Sequence, residues 1–337
     1  MRHGSTLKIT APVRVRWLGV SRLALVSVLV ALLGALIPFW THNAPFLLVL
    51  LSDAMIAALV AVSLDMLMGN TGLVSFGHAG WFGLGAYAVG LLARSVTSEM
   101  IPLLMMVIVL GIGVSWVVGR IFIRQVGTAF AILTLAFSQV LYALVFLFSK
   151  YTGGEDGLQA IPVPTVFGVA LSNNDAWYWV LYGILVVAIC AALYLRRSPL
   201  GKAWIAIREN PERAYFIGLN VARLKLLSFI ISGTLATVAG GLFVLFTGAT
   251  SPDSMSWFES GKMLMYVVMG GVGSVVGPAI GAVVITLAEN YISSFTQAWL
   301  IYFGALFILV VIVAPNGIFG LFTRLWKLLD PGERGER

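Results

Sequence analysis

Apolar segments long enough to cross a bilayer recur along almost the whole of this sequence. A crossing helix needs about 20 apolar residues. Segments near that length lie at residues 18–40, 46–68, 73–93, 102–119, 128–148, 177–195, 226–248, 263–288 and 298–315. Of the 337 residues, 60% are hydrophobic and only 10% are charged, which excludes a soluble globular protein. The sequence therefore predicts an all-α, polytopic membrane bundle of about 8–10 spans.

The basic residues lie between the predicted spans rather than within them. Arg120 and Arg124 share one short loop, and seven basic residues lie between Arg196 and Lys225. Because basic loops stay in the cytoplasm, this pattern places the N-terminal tail (1–17) inside, with the basic loops. It also explains the net charge of +7 without a nucleic-acid partner. No A-x-A cleavage pattern follows the first apolar segment, which predicts a retained span.

The segment 263–288 departs from the pattern of single crossings. Nine crossings would leave the basic C-terminal tail, 316–337, outside the cell. Pro278 and the glycines beside it disfavour a continuous helix, and the freed backbone must then be buried in protein or face water. We therefore predict two half-helices or a re-entrant hairpin, with both termini in the cytoplasm.

Glycines also interrupt the segment NTGLVSFGHAGWFGLGAY, which begins at Asn70. Interrupted segments in both halves of a membrane protein point to a transport pathway, but close helix packing explains the same glycines as well. The candidate residues for the pathway or for helix breaks are Gly72, Gly77, His78, Gly80, Gly83, Gly270, Gly271, Gly273, Gly277 and Pro278.

Residues for catalysis or metal binding are scarce. His78 is the only histidine within a predicted span, and a lone imidazole is more often a structural hydrogen-bonding group than a ligand. Cys190 is the single cysteine, so neither an intrachain disulfide nor a cysteine metal cluster can form. The sequence contains no H-E-x-x-H, G-x-S-x-G or phosphate-loop motif. We predict no catalytic residue and no metal site.

Two aspartates, Asp53 and Asp65, fall within the second predicted span. A charge at the bilayer centre costs about 3 kcal/mol on insertion scales. Asp53 lies near the outer end of the span and Asp65 near the inner end, so both can face protein. They are the coupling groups if the chain is an ion-driven carrier, and polar or helix-end contacts if it is not.

The loop 196–225 contains a helix signal outside the membrane. Pro211 follows Asn210 at a helix start, Glu212 falls in the first turn, and Gly218 follows the last turn. A basic tether to anionic lipid explains the charge of this loop. It does not explain apolar residues on an ordered helix in water, which fit a groove on a partner protein.

The loop 149–176 has a net charge of −2 and contains YTGGEDGLQAIPVP. Its glycines indicate turns and its prolines an extended strip. The loop is either a simple connection or a docking surface on the outer side.

In their order along the chain, these segments resemble the membrane-spanning permease subunits of bacterial branched-chain amino-acid ABC importers. The resemblance rests on GNTGLVSFGHAGWFGLGAY, FAILTLAFSQ with TGGEDGL, SPLGKAWIAIRENPERAYFIGLNVARLKLLSFIISG and GGVGSVVGPAIGA. These segments cover most of the chain from about Ser63 to Ala314.

The resemblance implies roles for two groups of residues. The ATPase-coupling helix would include Pro211, Glu212, Arg213, Ala214 and Gly218, with Arg213 in place of the first alanine of the E-A-A-x-x-x-G pattern. The surface that docks an external solute-binding protein would include Gly153, Gly154, Glu155 and Asp156.

The resemblance also implies partners and a location. ATP would be bound by cytoplasmic ATPase subunits, so this chain needs no cofactor, and a second permease subunit would complete the pathway. The location would be the bacterial inner membrane. Similar permeases import urea or short amides, and no single residue separates those substrates from branched-chain amino acids. A membrane enzyme would need a nucleophile and a base that the sequence lacks.

Overall fold

The structure, a computed structural model, describes residues 45–296 together with Gly34 and positions 298, 300–302, 304, 305, 308, 312, 317 and 320. The predicted spans at 18–40 and 298–315, and the two terminal tails, lie wholly or mostly outside these residues.

The described part of the chain is a succession of helices. The α-helices are α1 (Pro45–Thr71), α2 (His78–Ser95), α3 (Met100–Phe122), α4 (Thr128–Leu147), α5 (Ser149–Thr152), α6 (Asn174–Arg197), α7 (Pro199–Glu209), α8 (Pro211–Phe216), α9 (Val221–Thr247), α10 (Trp257–Gly270) and α11 (Val276–Ser293). Two short 3-10 helices cover Gly154–Asp156 and Pro252–Met255. Two strands, β1 (Thr165–Val166) and β2 (Val169–Ala170), pair antiparallel.

Six of these helices are long and apolar enough to cross a membrane, namely α1, α3, α4, α6, α9 and α11. The prediction of an all-α membrane bundle is therefore confirmed. The β1–β2 ladder was not predicted from the sequence, because strands of two residues carry no periodic pattern.

Burial separates a central pair of helices from an outer ring. In the most apolar part of each helix, 67% of the α1 residues and 61% of the α9 residues are buried, against 22% in α3 and α4 and 17% in α6. Bare apolar surface on the outer helices is expected where lipid or another subunit covers them. The centre of this chain is therefore built on α1 and α9, with α2 packed between them and α4.

Glycines allow α2 and α9 to touch backbone to backbone. A Cβ added at Gly85 would lie 1.8 Å from the carbonyl oxygen of Thr237, and one added at Gly240 would lie 1.7 Å from that of Phe82. Close approach through small residues is typical of membrane helix pairs. Neither glycine was among the sequence candidates.

The two ends of the bundle differ in what they carry. At the end where α1 finishes and α9 begins lie α7 and α8, with Arg196 and Arg208; we call this the basic end. The 149–176 loop and the segment 248–256 lie at the opposite end, which we call the distal end, where Leu158 and Thr250 exchange backbone hydrogen bonds.

Candidate functional site

The first helix break covers residues 72–77, between α1 and α2. The break positions α2 against α4: a Cβ on Gly77 would lie 2.1 Å from the backbone oxygen of Thr134, and one on Gly80 would lie 2.9 Å from the Cα of Ser138. A Cβ on Gly83 would meet the side chain of Met255 at 2.1 Å. Close packing therefore accounts for these three glycines. Gly72 has a different role, because its φ of +74° turns the chain out of α1.

His78 fixes the N-terminus of α2 to its neighbours. One ring nitrogen lies 3.0 Å from the hydroxyl of Ser75 in the break, and the other lies 2.9 Å from the hydroxyl of Ser232 on α9. Ser232 in turn donates to the carbonyl oxygen of Ser63 on α1. The imidazole is 1% exposed. Within the described part of the chain, the imidazole therefore acts as a structural hydrogen-bonding group that connects the break to α9.

The predicted break in segment 263–288 is present, and it makes a hairpin. α10 and α11 run antiparallel, since Lys262 pairs with Glu289 at 3.3 Å while Gly270 packs against Gly277 at the other end of the pair. We call α10, α11 and the residues between them the Gly-rich hairpin, and residues 271–275 its tip. The side-by-side pairing of the two helices agrees with the hairpin, one of the two predicted arrangements.

The tip is held at the basic end by a carboxylate of α1. Asp65 accepts backbone hydrogen bonds from Gly273 and, at 3.0 Å, from Val275. Val275 has a φ of +64°, a conformation that β-branched residues rarely adopt. Asp65 thus makes a helix-end contact, which is one of the two roles that the sequence suggests for it. Its carboxylate accepts hydrogen bonds from N–H groups that have no partner within a helix.

The coupling loop, predicted at 196–225, contains one helix more than predicted between the end of α6 at Arg197 and the start of α9 at Val221. The unpredicted helix is α7, which begins at Pro199 with Ser198 as its N-cap. Its side chains Trp204 and Ile207 are fully buried, and the indole of Trp204 donates to the carbonyl of Leu224 on α9. The helix α7 is therefore packed firmly under the bundle.

The predicted coupling helix, α8, follows α7 and projects from it. The Asn210 side chain accepts from the backbone N–H of Arg213, and the left-handed Gly218 follows the last turn. Pro211, Glu212 and Arg213 are exposed and Ala214 is buried. Three large apolar side chains stand in the open at 68%, 83% and 70% exposure: Tyr215, Phe216 and Ile217.

One arginine joins the coupling loop to both α1 and the tip. Arg208, in the last turn of α7, donates to the carbonyl oxygen of Gly69 at 2.6 Å. Gly69 packs on Gly273, whose added Cβ would lie 3.0 Å from the Arg208 guanidinium. Sequence reasoning missed this residue, since nothing near it in the chain distinguishes it from the other basic residues of the loop.

The predicted docking residues form a tight turn at the distal end. Gly153 and Gly154 have φ of +81° and +61°, and the side chains of Glu155 and Asp156 are exposed. The next residues pack inward, where Gly157 lies against the backbone of Thr250.

A cavity of about 610 Å³ opens between α1, α9, α10 and α11. Its walls carry five charged residues: Asp253 in the segment between α9 and α10, and a group of four, Asp53, Glu259, Lys262 and Glu289, on the helices α1, α10 and α11. Its lining includes none of the ten predicted pathway residues. Only Asp53 was singled out from the sequence. The other three of the group flank the glycine-rich segment at both ends, and only the hairpin brings them together.

Most of the chain matches a known protein family, over nearly the same residues as the segments that carry the resemblance. A family model described as "Branched-chain amino acid transport system / permease component" matches residues 46–315. The chain belongs to this permease family. It is therefore a transport subunit rather than an enzyme, held in the membrane by several helices.

Individual relatives agree with the family. The permease is 28% identical over 306 residues to the Escherichia coli K12 high-affinity branched-chain amino acid transport system permease protein LivM, covering 84% of this chain and 72% of the relative. It is 26% identical over 293 residues to LivH of the same organism and 26% over 284 residues to BraD of Pseudomonas aeruginosa, in each case covering 78% of this chain and 91% of the relative. No solved structure matches the permease significantly.

Proposed function

We propose that this permease is the membrane subunit of an ATP-driven importer of branched-chain or related amino acids. The observation that carries the proposal is the connection from an exposed apolar helix to the hairpin tip. Tyr215 and Phe216 on α8 lie open for a partner, and α8 is joined to α7, whose Arg208 contacts both Gly69 and the tip. A helix with this apolar surface fits a groove on another protein.

The mechanism that follows is alternating access. ATP binding and hydrolysis in cytoplasmic ATPase subunits move α8, and α7 carries the movement to the inner end of α1 and to the Gly-rich hairpin. A second permease subunit covers part of the exposed apolar surface of the outer helices. The basic end faces the cytoplasm, because it carries the arginine-rich loop. An external solute-binding protein delivers the substrate at Glu155 and Asp156.

The names of the relatives support branched-chain amino acids as the substrate class. LivM, LivH and BraD are each described as permease proteins of a high-affinity branched-chain amino acid transport system. The Gly-rich hairpin would supply the moving part of the pathway, since interrupted helices are typical of transport proteins.

A pull-down tests the proposal. The tagged permease is isolated from its native membranes in mild detergent, and the accompanying proteins are identified by mass spectrometry. We expect ATPase subunits, and we expect them to be lost when residues 212–218 are replaced by a flexible linker. A linker of matched length in place of residues 165–170, at the distal end, is the control and should retain them.

Two results would contradict the proposal. One is recovery of the intact permease without an ATPase, together with ion-driven uptake by the purified chain alone. Asp53 and Asp65 would then be the coupling groups of a carrier. The other is an unchanged ATPase yield after replacement of residues 212–218, which would show that α8 is not the contact.

A further inference from the structure

The cavity between α1 and the Gly-rich hairpin has the size of a small-molecule site. Its volume of about 610 Å³ lies within the range of about 300 to 1,000 Å³ that is typical of such sites. Gln159 and the segment 249–254 form its mouth at the distal end. Asp53 lies roughly 18 Å along α1 from Asp65, at 1.5 Å per residue, and both lie inside a helix that is long and apolar enough to cross a membrane. Ionisable residues within such a helix are expensive and mark functional sites.

The charges in the cavity are not balanced. Lys262 contacts Glu259 at 2.9 Å and Glu289 at 3.3 Å. Two of its three N–H donors are thereby used, and one is left. The carboxylate of Asp53 has neither a hydrogen bond nor an ion pair within the described part of the chain. The site therefore offers the carboxylates of Asp53 and Asp253 to a cation and one free donor, on Lys262, to an anion.

The rest of the wall combines apolar residues with uncharged polar ones, among them Gln159, Asn290 and Ser293. Ile56, Val60, Phe82 and Phe243 line the cavity beside the charged residues. On the side toward the tip, the Thr286 hydroxyl lies next to Tyr266 but has no hydrogen bond of acceptable geometry among the described residues. A ligand that fits must have an ammonium group, an anionic group and a short hydrocarbon body.

We propose that this cavity is a binding site within the permease for an aliphatic α-amino acid in its zwitterionic form. The ammonium group binds to Asp53, the carboxylate accepts the remaining donor of Lys262, and the side chain packs on Phe82 and Phe243. The proposal rests on the proposed function and narrows it. Urea can donate hydrogen bonds to the Asp53 carboxylate, but it has no positive charge to pair with it, no anionic group for Lys262 and no hydrocarbon body to pack on Phe82 and Phe243. The cavity therefore favours the amino acid over the amide among the substrates left open by the sequence.

A labelling experiment tests the site without requiring transport. Cys190 is the single cysteine of the chain, so Cys190→Ser gives a background in which Ala57→Cys, on the cavity wall, is the only thiol of the permease. The variant is assembled with its second permease and ATPase subunits in nanodiscs. A small maleimide is added with increasing L-leucine, and modification of the peptide that contains position 57 is quantified by mass spectrometry.

We expect L-leucine to slow the modification, and 4-methylpentanoate, which lacks the ammonium group, to have much less effect. With Asp53→Asn added, the half-protecting L-leucine concentration should rise about tenfold or more, because a hydrogen bond to a charged group is lost. Asp53→Glu should lie between the two. Asp175→Asn, which removes a carboxylate outside the cavity, is the matched control and should leave the protection unchanged.

Either of two results would overturn the proposed site: equal protection by L-leucine in the presence and absence of the Asp53 carboxylate, or protection by urea but not by L-leucine. Absence of any protection in a complex that still takes up leucine with ATP would also overturn it, while leaving the proposed function intact. Recovery of the intact permease without an ATPase in the pull-down would instead count against the proposed function alone.

Discussion

The two glycine-rich breaks differ in how they are held. The first break, 72–77, is anchored by several neutral hydrogen bonds: Ser75 to His78, His78 to Ser232, and the backbone of Phe76 to Thr134. The tip, 271–275, depends mainly on the single carboxylate of Asp65 and adjoins the guanidinium of Arg208. Similar sequences thus give a redundant anchor in one place and a single charged clamp in the other. Arg208 of the coupling loop lies beside both breaks: a Cβ added at Gly72 would lie 3.2 Å from its Cγ, and one added at Gly273 would lie 3.0 Å from its guanidinium.

The largest effect should come from Asp65→Ala. It leaves the N–H groups of Gly273 and Val275 buried without an acceptor, and each such loss costs about 1–3 kcal/mol. We expect a lowered midpoint of thermal unfolding in detergent and loss of uptake by the assembled importer. The matched variant Asp175→Ala should change little. A stable, active Asp65→Ala would show that the tip has other supports.

Arg208→Ala should separate ATP hydrolysis from transport. The lost bond to the Gly69 carbonyl involves a charged donor and is worth about 1.5–3 kcal/mol. We expect uptake per ATP hydrolysed to fall, while binding of the ATPase persists because α8 is intact. Arg223→Ala, on the exposed start of α9, is the control. If both variants take up the same amount of substrate per ATP hydrolysed, Arg208 is not part of the connection between α8 and the hairpin tip.

Gly77→Ala tests the first break by crowding. The added Cβ would lie 2.1 Å from the backbone oxygen of Thr134, so α2 and α4 must separate. Overpacking of this kind costs about 1–3 kcal/mol. Gly113→Ala on α3, where a Cβ meets nothing within 4 Å, provides the comparison in thermal unfolding. Equal midpoints for the two variants would contradict the packing described here.

The smallest effect should come from Ser75→Ala. It removes the two hydrogen bonds of the Ser75 hydroxyl, one with the His78 ring and one accepted from the backbone N–H of Gly77, each worth about 1 kcal/mol. The contacts of His78 with Ser232 and of Phe76 with Thr134 remain. We expect a small loss of thermal stability and normal uptake. Loss of uptake in this variant would mean that the first break is also a moving part, and the contrast between the two breaks would disappear.

Much of the fold follows from local signals in the sequence. Long apolar segments predict the spanning helices, Pro278 and its neighbouring glycines predict the hairpin, and the Asn210-Pro211 pair predicts the start of α8. The start of α7 carries an equivalent signal in Ser198-Pro199, which sequence reasoning did not use. These features depend on a few adjacent residues, so they can be found without a structure.

The contacts that organise the site are not local. Asp65 and Gly273 are 208 positions apart, and Gly69 and Arg208 are 139 apart. Glu259, Lys262 and Glu289 face Asp53 only after the hairpin has folded against α1. In the sequence each resembles an ordinary charged residue at a helix end. They come together only because helices that are distant in the sequence pack against one another, and no short stretch of the sequence predicts that packing.

The turn at Gly153–Asp156 and the mouth of the cavity share a short piece of chain. The Gln159 amide donates to the backbone oxygen of Asp156, and Gln159 also lines the cavity. Backbone hydrogen bonds between Leu158 and Thr250, and from Ile161 to Gly248, join this piece to the segment that forms the rest of the rim. A protein that docks on Glu155 and Asp156 therefore contacts the same stretch of chain that forms part of the cavity rim. In the proposed importer, docking of the solute-binding protein and opening of the cavity mouth would then be one mechanical event.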